Sequence, residues 1–355
     1  MGKILIKNGR VWDGENFILA DVLTDGEFIA KIEPNITDDS AYLYDADGLI
    51  VSAGLVDVHV HMLVDKTDEY GIQAEMSCFP FGVTAAADAG RKTGNPSAYE
   101  HFMLKNVVFI STTIHNDKVD FVELEQLVER FGHRVVGVKV YFDMHISEVT
   151  SVQVLADVCK FAKERNLLVM VHCSNSPTSM ASILDTLNEG DILTHAYHGG
   201  DNSALEDNFE CIKKAKQRGV VIDAGFAGHV HTNFHVLKKA IEEDACPDTI
   251  STDITKNSAY TRGGRYGMTM CMSFAKYYGM NENEIFRSVT SKAAKVLHKE
   301  NEWGYLKVGR VADIAVFDYT NDAFILVDKA GNCIESKTGY RCVLTVSNGQ
   351  IVFKD

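Results

Sequence analysis

Through the middle of the chain, eight short apolar runs end near His61, Asp88, Ile114, Val140, His172, His195, Asp223 and Asp253, with helix-length stretches between them. Strands that alternate with helices build a parallel sheet, because each crossover returns the chain to start the next strand in the same direction. In the stretch 151–165, Val154, Leu155, Val158, Phe161 and Ala162 recur at three- and four-residue steps, the pattern of one buried helical face. Stretches 204–219 and 233–245 are also of helical length. A doubly wound open sheet gives the same alternation. The count of eight, and the metal-capable residues at the run ends, favour a (β/α)8 TIM barrel of the α/β class, whose active site lies at the C-terminal strand ends.

The two ends of the chain have a different texture. Residues 3–7, 17–23 and 27–32 read as short strands, with turn signals at Asn8-Gly9, Asp25-Gly26 and Asp47-Gly48. The tail repeats this with 313–317, 340–346, Asn348-Gly349 and 351–353. These pieces predict one small β-sandwich domain built from residues 1–52 and 305–355, with the barrel occupying 53–304.

A formal net charge of −14 argues against a general binder of nucleic acid or anionic membrane, which would need a basic face. No apolar run approaches the ~20 residues that span a bilayer, and the polar start Met1-Gly2-Lys3 does not read as a signal peptide. The eight cysteines are scattered without a C-x-x-C pair and read as free thiols in a reducing compartment. A cytoplasmic protein is expected, with a small-molecule substrate as its partner and a homo-oligomeric state.

The run Gly54-Leu55-Val56-Asp57-Val58-His59-Val60-His61 carries the clearest chemistry. Residues two apart in a strand share a face, so His59 and His61 are able to grip one ion. Imidazoles and carboxylates suit zinc-like metals, and His172, His195 and Asp253 supply more of both. An isolated lysine in the apolar run around Lys139 is costly to bury without compensation. His229 and His231 form a second H-x-H, but after Gly225-Phe226-Ala227-Gly228, in a loop setting without strand alternation. One of them, like His198 just past His195, is a candidate substrate contact or an ordinary polar loop residue. His101, His115, His133, His145, His235 and His298 read as surface or helix positions.

Taken together, Val51 to His61, Val136-Gly137-Val138-Lys139, Leu193-Thr194-His195 and Ile250-Ser251-Thr252-Asp253-Ile254 resemble the binuclear-metal branch of the amidohydrolase superfamily, over essentially the whole chain. Within it the chain looks closest to the dihydroorotase-like amidohydrolase/deacetylase metallohydrolases. The resemblance implies that His59, His61 and Asp253 bind a buried divalent ion, with zinc expected, and that His172 and His195 bind a second, more exposed one. It implies that Lys139 is N6-carboxylated by carbon dioxide and bridges the two. A metal-bridging hydroxide would then be the nucleophile, with Asp253 as catalytic base and acid.

The chain departs from its relatives at the pocket. Asn175 stands where mononuclear deaminases carry Glu, which disfavours deamination. Leu63 stands where dihydroorotases usually carry a carboxylate-gripping Arg. Tyr141 and Phe226-Ala227-Gly228 replace an Arg and a His-Gly step common in the deacetylase-like relatives. Tyr141, His198, His231 and Arg262 are the candidate substrate contacts, Arg262 for a carboxylate. The expected reaction is cleavage of an amide or ester in an N-acyl or acetyl amino-acid-like compound. A cyclic-amide hydrolase of dihydroorotase or hydantoinase type is the alternative, and a non-catalytic scaffold, which typically loses ligands, is a third reading.

Overall fold

The computed structural model describes residues 2–65, 68–260, 266–320 and 324–355. Seven parallel strands form the central sheet: β1 (Leu55–Val60), β2 (Val83–Arg91), β3 (Lys105–Ser111), β4 (Val135–Tyr141), β5 (Leu168–His172), β6 (Ile192–Thr194) and β7 (Val221–Asp223). They pair in chain order, so the sheet curls into a half-barrel with helices as crossovers. Helix Val152–Glu164 starts at Ser151, whose hydroxyl accepts from the backbone of Gln153, and buries the apolar face that its spacing predicts. Helix Phe234–Glu242 is capped in the same way by Asn233.

Three sequence expectations need correction, two of them in the parallel sheet and its crossovers. The stretch 204–219 is not one helix: a 3₁₀ turn (Ala204–Asp207) and a helix (Glu210–Gln217) flank Asn208 and Phe209, both in the left-handed region. The eighth run is not a regular strand. Residues 249–254 instead bridge the two edges of the sheet through single pairings, Asp223 with Thr249 and Val60 with Ile254. Backbone donors from Ala224 and Phe226 reach Thr249 and Ser251 on one side, and Asp253 N–H reaches His59 on the other.

Carboxylates supply what the missing ladder does not. Asp57 accepts from the Thr252 hydroxyl at 2.6 Å and from the Thr252 N–H at 3.2 Å. Asp223 accepts from Thr194, Thr249 and Ser251 at 2.7, 2.8 and 2.6 Å. Both aspartates are fully enclosed, and burial raises Asp57 to about 7 and Asp223 to about 6, with these hydrogen bonds pulling the other way.

Strands from both chain ends join one eight-stranded sheet, in which Ile50–Ala53 lies between Ile4–Trp12 and Ile314–Thr320. Ile4, Ile6, Val11, Val51, Ile314, Val316 and Leu344 form its buried core. Asn348-Gly349 closes a hairpin with both residues at positive φ, as its sequence predicts. Asn8-Gly9 does not turn the chain. It is an irregularity inside the continuous strand Ile4–Trp12, with Asn8 at φ 62° and the register shifting between Ile6 and Gly9. Gly54 carries the chain from one sheet to the other, and a side chain there would collide with Thr84.

Candidate metal centre

The C-terminal ends of the parallel strands open into a cavity of about 890 Å³ lined by His59, His61, Lys139, Tyr141, His172, His195, His231 and Asp253, among others. All six ligands expected from the sequence therefore meet in one place. Asp253 stands at the centre of one group, with Oδ1 3.2 Å from His59 Nε2 and 2.9 Å from His61 Nε2. His172, His195 and His231 form a second group, with ring centroids 4.1–4.8 Å apart. In each group one candidate ligand atom per residue lies within 4.8 Å of the others, which fits two adjacent metal positions.

The imidazoles are oriented by partners on their far sides. His59 Nδ1 faces Thr194 Oγ1 at 3.1 Å, and that hydroxyl donates to Asp223, so His59 carries its proton on Nδ1 and turns a bare Nε2 to the site. His195 Nδ1 donates to the Gly225 carbonyl at 2.7 Å, which leaves its buried Nε2 without a partner. His172 Nε2 meets Asp143 Oδ2 at 3.1 Å. Asn175 donates to the same Asp143 oxygen at 2.8 Å, so the position that would be Glu in a deaminase here braces the carboxylate behind His172. Ligating histidines are ordinarily held in this way. Burial lowers His59, His172 and His195, keeping them neutral as ligands must be. Burial also works to raise Asp253, but the surrounding imidazoles outweigh it and hold the carboxyl well below the usual carboxylate range.

The backbone is strained at two of these positions. His195 and Asp253 sit at φ 66° and 47°, left-handed conformations that cost a non-glycine residue about 1 kcal/mol or more. His195 directly follows β6, and Asp253 lies within the bridging segment 249–254. The turn aims each side chain into the cavity.

Lys139 lies on the floor. Its Nζ is 3.0 Å from His59 Nε2 and 3.3 Å from Met170 Sδ, and among the described residues no carboxylate is within ion-pair distance. Burial lowers its amine to about 8. Gly137, two residues earlier on the same face, is needed because a Cβ there would stand 2.5 Å from both the Phe109 ring and the Leu168 carbonyl.

The candidate substrate contacts separate. Tyr141 lines the cavity beside His172, and its hydroxyl abuts Gly90, where a side chain would collide with it. His231 also lines the cavity, brought in by the loop after β7. His198 does not: it is buried away from the lining, with Nδ1 accepting from Gly200 N–H at 3.0 Å. Arg262 lies outside the described residues. The cavity's other cations are engaged. Arg91 binds Asp88, Asp68 and the Met62 carbonyl, and Lys92 meets Thr113 and lies 3.5 Å from Glu123. The six histidines read as surface or helix positions are all exposed.

Sequence reasoning missed Asp57, Asp143, Thr194 and Asp223 as organisers of the site. Asp57 and Asp223 stood in plain view inside the motif and at a run end, but nothing local says which hydroxyls they hold.

Comparison with known proteins places this geometry. The profile described as "Amidohydrolase family" matches residues 50–352. A deacetylase of Enterococcus faecalis is 28% identical over 377 aligned positions, covering 98% of this chain and 98% of that protein. A dihydroorotase crystal structure superposes with a TM-score of 0.88 at 23% identity, covering 99% of this chain and 98% of the other. An adenine deaminase crystal structure gives 0.85 at 25% identity, covering 99% of both chains. No helix among the described residues is long and apolar enough to cross a membrane.

Proposed function

This chain belongs to the amidohydrolase family and is a hydrolase acting on carbon–nitrogen bonds, and from that premise we propose a metal-dependent deacetylase-type activity on N-acyl amino-acid-like small molecules or related esters. The observation that carries the reading is that two groups of candidate ligands and the buried Lys139 line a single cavity. His59, His61 and Asp253 would hold one divalent ion, and His172 and His195 the other, with zinc favoured by the nitrogen-rich donor set. Lys139 would join them as a carbamate. Its neutral amine adds to the carbon of carbon dioxide and loses one proton, giving a carbamate whose single negative charge is shared by two oxygens. When bound, two divalent ions supply Lewis acidity and lower the pKa of water towards neutrality.

The remaining steps fall to the chain. Asp253 takes a proton from the attacking water and returns it to the leaving nitrogen. Tyr141 donates a hydrogen bond to the substrate carbonyl oxygen; burial raises its phenol, so it remains a donor. A substrate carboxylate needs a free cation, and Arg91 and Lys92 are both committed, which makes Arg262 its proposed partner. We also read residues 249–254 as the eighth stave of a closed (β/α)8 barrel spanning 53–304, and the terminal sheet as a β-sandwich of 1–52 and 305–355. Bridging of 249–254 to both sheet edges supports the first, and the shared terminal sheet supports the second.

Elemental analysis and a substrate panel test the activity together. Two divalent ions per chain, with turnover of open-chain N-acyl amino acids ahead of ring amides, esters and adenine, are expected. Metal-replete protein inert across the panel would sink the reading. Faster turnover of a ring amide would replace it with a cyclic-amide hydrolase.

A further inference from the structure

The loop after β7 is folded tightly by Gly225, Ala227 and Gly228, at φ 52°, 44° and 64°. Phe226 and Ala227 N–H groups tie it to the Ser251 and Thr252 carbonyls, and at its far end Asn233 N–H reaches the Tyr197 carbonyl. Pinned at both ends, the loop sets His231 against the two histidines of the outer metal position. Its ring centroid lies 4.1 Å from that of His195 and 4.8 Å from that of His172.

We infer that His231 is a third imidazole ligand of the outer metal position, alongside His172 and His195. This rests on the metal-dependent reading above. The three rings share one construction. Each has one nitrogen occupied on the side away from the cavity: His172 Nε2 by Asp143, His195 Nδ1 by Gly225, and His231 Nδ1 by the buried Ser174 hydroxyl at 2.8 Å. That is the arrangement by which proteins fix the tautomer of a ligating imidazole and leave the other nitrogen's lone pair free. The free nitrogens of His195 and His231 face the same carboxylate oxygen, with Nε2 of His195 3.8 Å and Nε2 of His231 3.9 Å from Asp253 Oδ2. With Zn–N distances of about 2.0–2.1 Å, ligands around a tetrahedral ion stand roughly 3.3 Å apart. The three candidate ligand atoms lie within 4.8 Å of one another, so a bound ion would draw them closer together. His231 Nε2 is also 3.9 Å from Asp253 Oδ2, so the same ring spans from the outer position towards the carboxylate of the inner one.

Metal-free protein titrated with cobalt(II) in competition with a coloured chelator, with the visible cobalt bands recorded at each equivalent, tests this. His231→Gln keeps most of the side-chain volume while removing the imidazole, and Ser174→Ala removes only the group that holds it. The expected result is that His231→Gln binds one cobalt normally and the other about 100-fold more weakly, with altered bands for that equivalent. Ser174→Ala weakens the same equivalent about tenfold. If His231→Gln binds both ions with unchanged affinity and spectrum while KM for an N-acyl substrate rises, His231 is a substrate contact and the inference is overturned. Wild-type protein that takes up no cobalt overturns the metal-dependent reading itself, which the wild-type titration reveals before any variant is made.

Discussion

At the level of single residues, a lysine amine enclosed 3.0 Å from an imidazole nitrogen, with no carboxylate at ion-pair distance among the described residues, has little to recommend it as a structural choice. Burying an ammonium without a counter-charge costs several kcal/mol. Conversion to a carbamate would replace that cation with an anion whose oxygens two dications would neutralise. Lys139→Ala is expected to lower kcat/KM by about 10³-fold and to reduce bound metal below two per chain. Partial recovery with added formate or acetate, which fit the vacated space, would show that the lost group was a carboxylate. Full metal content and activity in the variant would exclude the carbamate. Asp143 acts through another residue: it orients His172 and touches neither ion in this reading. Asp143→Ala should weaken metal binding about 10–100-fold, measured by chelator competition, while leaving secondary structure intact by circular dichroism.

At the level of elements, residues 249–254 behave as a stave held by side chains in place of a backbone ladder. Asp223 takes hydroxyl hydrogen bonds from both flanking elements, and Asp57 takes a hydroxyl and an N–H from Thr252. Removing a buried acceptor strands its donors, at about 1–3 kcal/mol. Asp223→Ala should therefore cost about 3 kcal/mol in denaturant unfolding, and amide exchange should rise first in 249–254. Protection there equal to that of the wild type would show that the bridges alone suffice. The loop leaving β1 is governed similarly by Arg91, which joins Asp88 on its own strand to Asp68 and the Met62 carbonyl in that loop. Arg91→Ala leaves the buried Asp88 and the half-buried Asp68 without their shared cation. The expected loss is about 3–5 kcal/mol, read from the unfolding midpoint. A change within 1 kcal/mol would mean that the loop is held by its backbone contacts.

At the level of the whole molecule, the cavity draws on most of the curled parallel sheet, from β1 to the segment beyond β7, so occupancy and global stability are linked. Ligand at about 1,000 times its Kd adds about 4 kcal/mol to the folded state. Chelation should thus lower the unfolding temperature by several degrees, and zinc should restore it; an unchanged transition would place the metals outside the folding equilibrium. How much of this was readable beforehand follows from the range over which each physical rule acts. The period-two alternation of a strand and the period of a helix are local, so the sequence alone determined the strand and helix alternation, the shared face of His59 and His61, and the positions of Lys139, His172, His195 and Asp253 at run ends. Asn8-Gly9 misled because a dipeptide able to make a hairpin is equally able to make a bulge, and the neighbouring strands choose. The stretch 204–219 misled because length alone does not register the two left-handed residues that break it. Only the tertiary structure decided that Asp143, Thr194 and Ser174 stand behind the imidazoles, that carboxylates hold the eighth segment, and that His231 lines the cavity beside His172 and His195 while His198 does not. Those outcomes depend on which strand ends and loops curvature brings within about 3 Å of one another, the range of a hydrogen bond, and no local pattern along the chain encodes that distance.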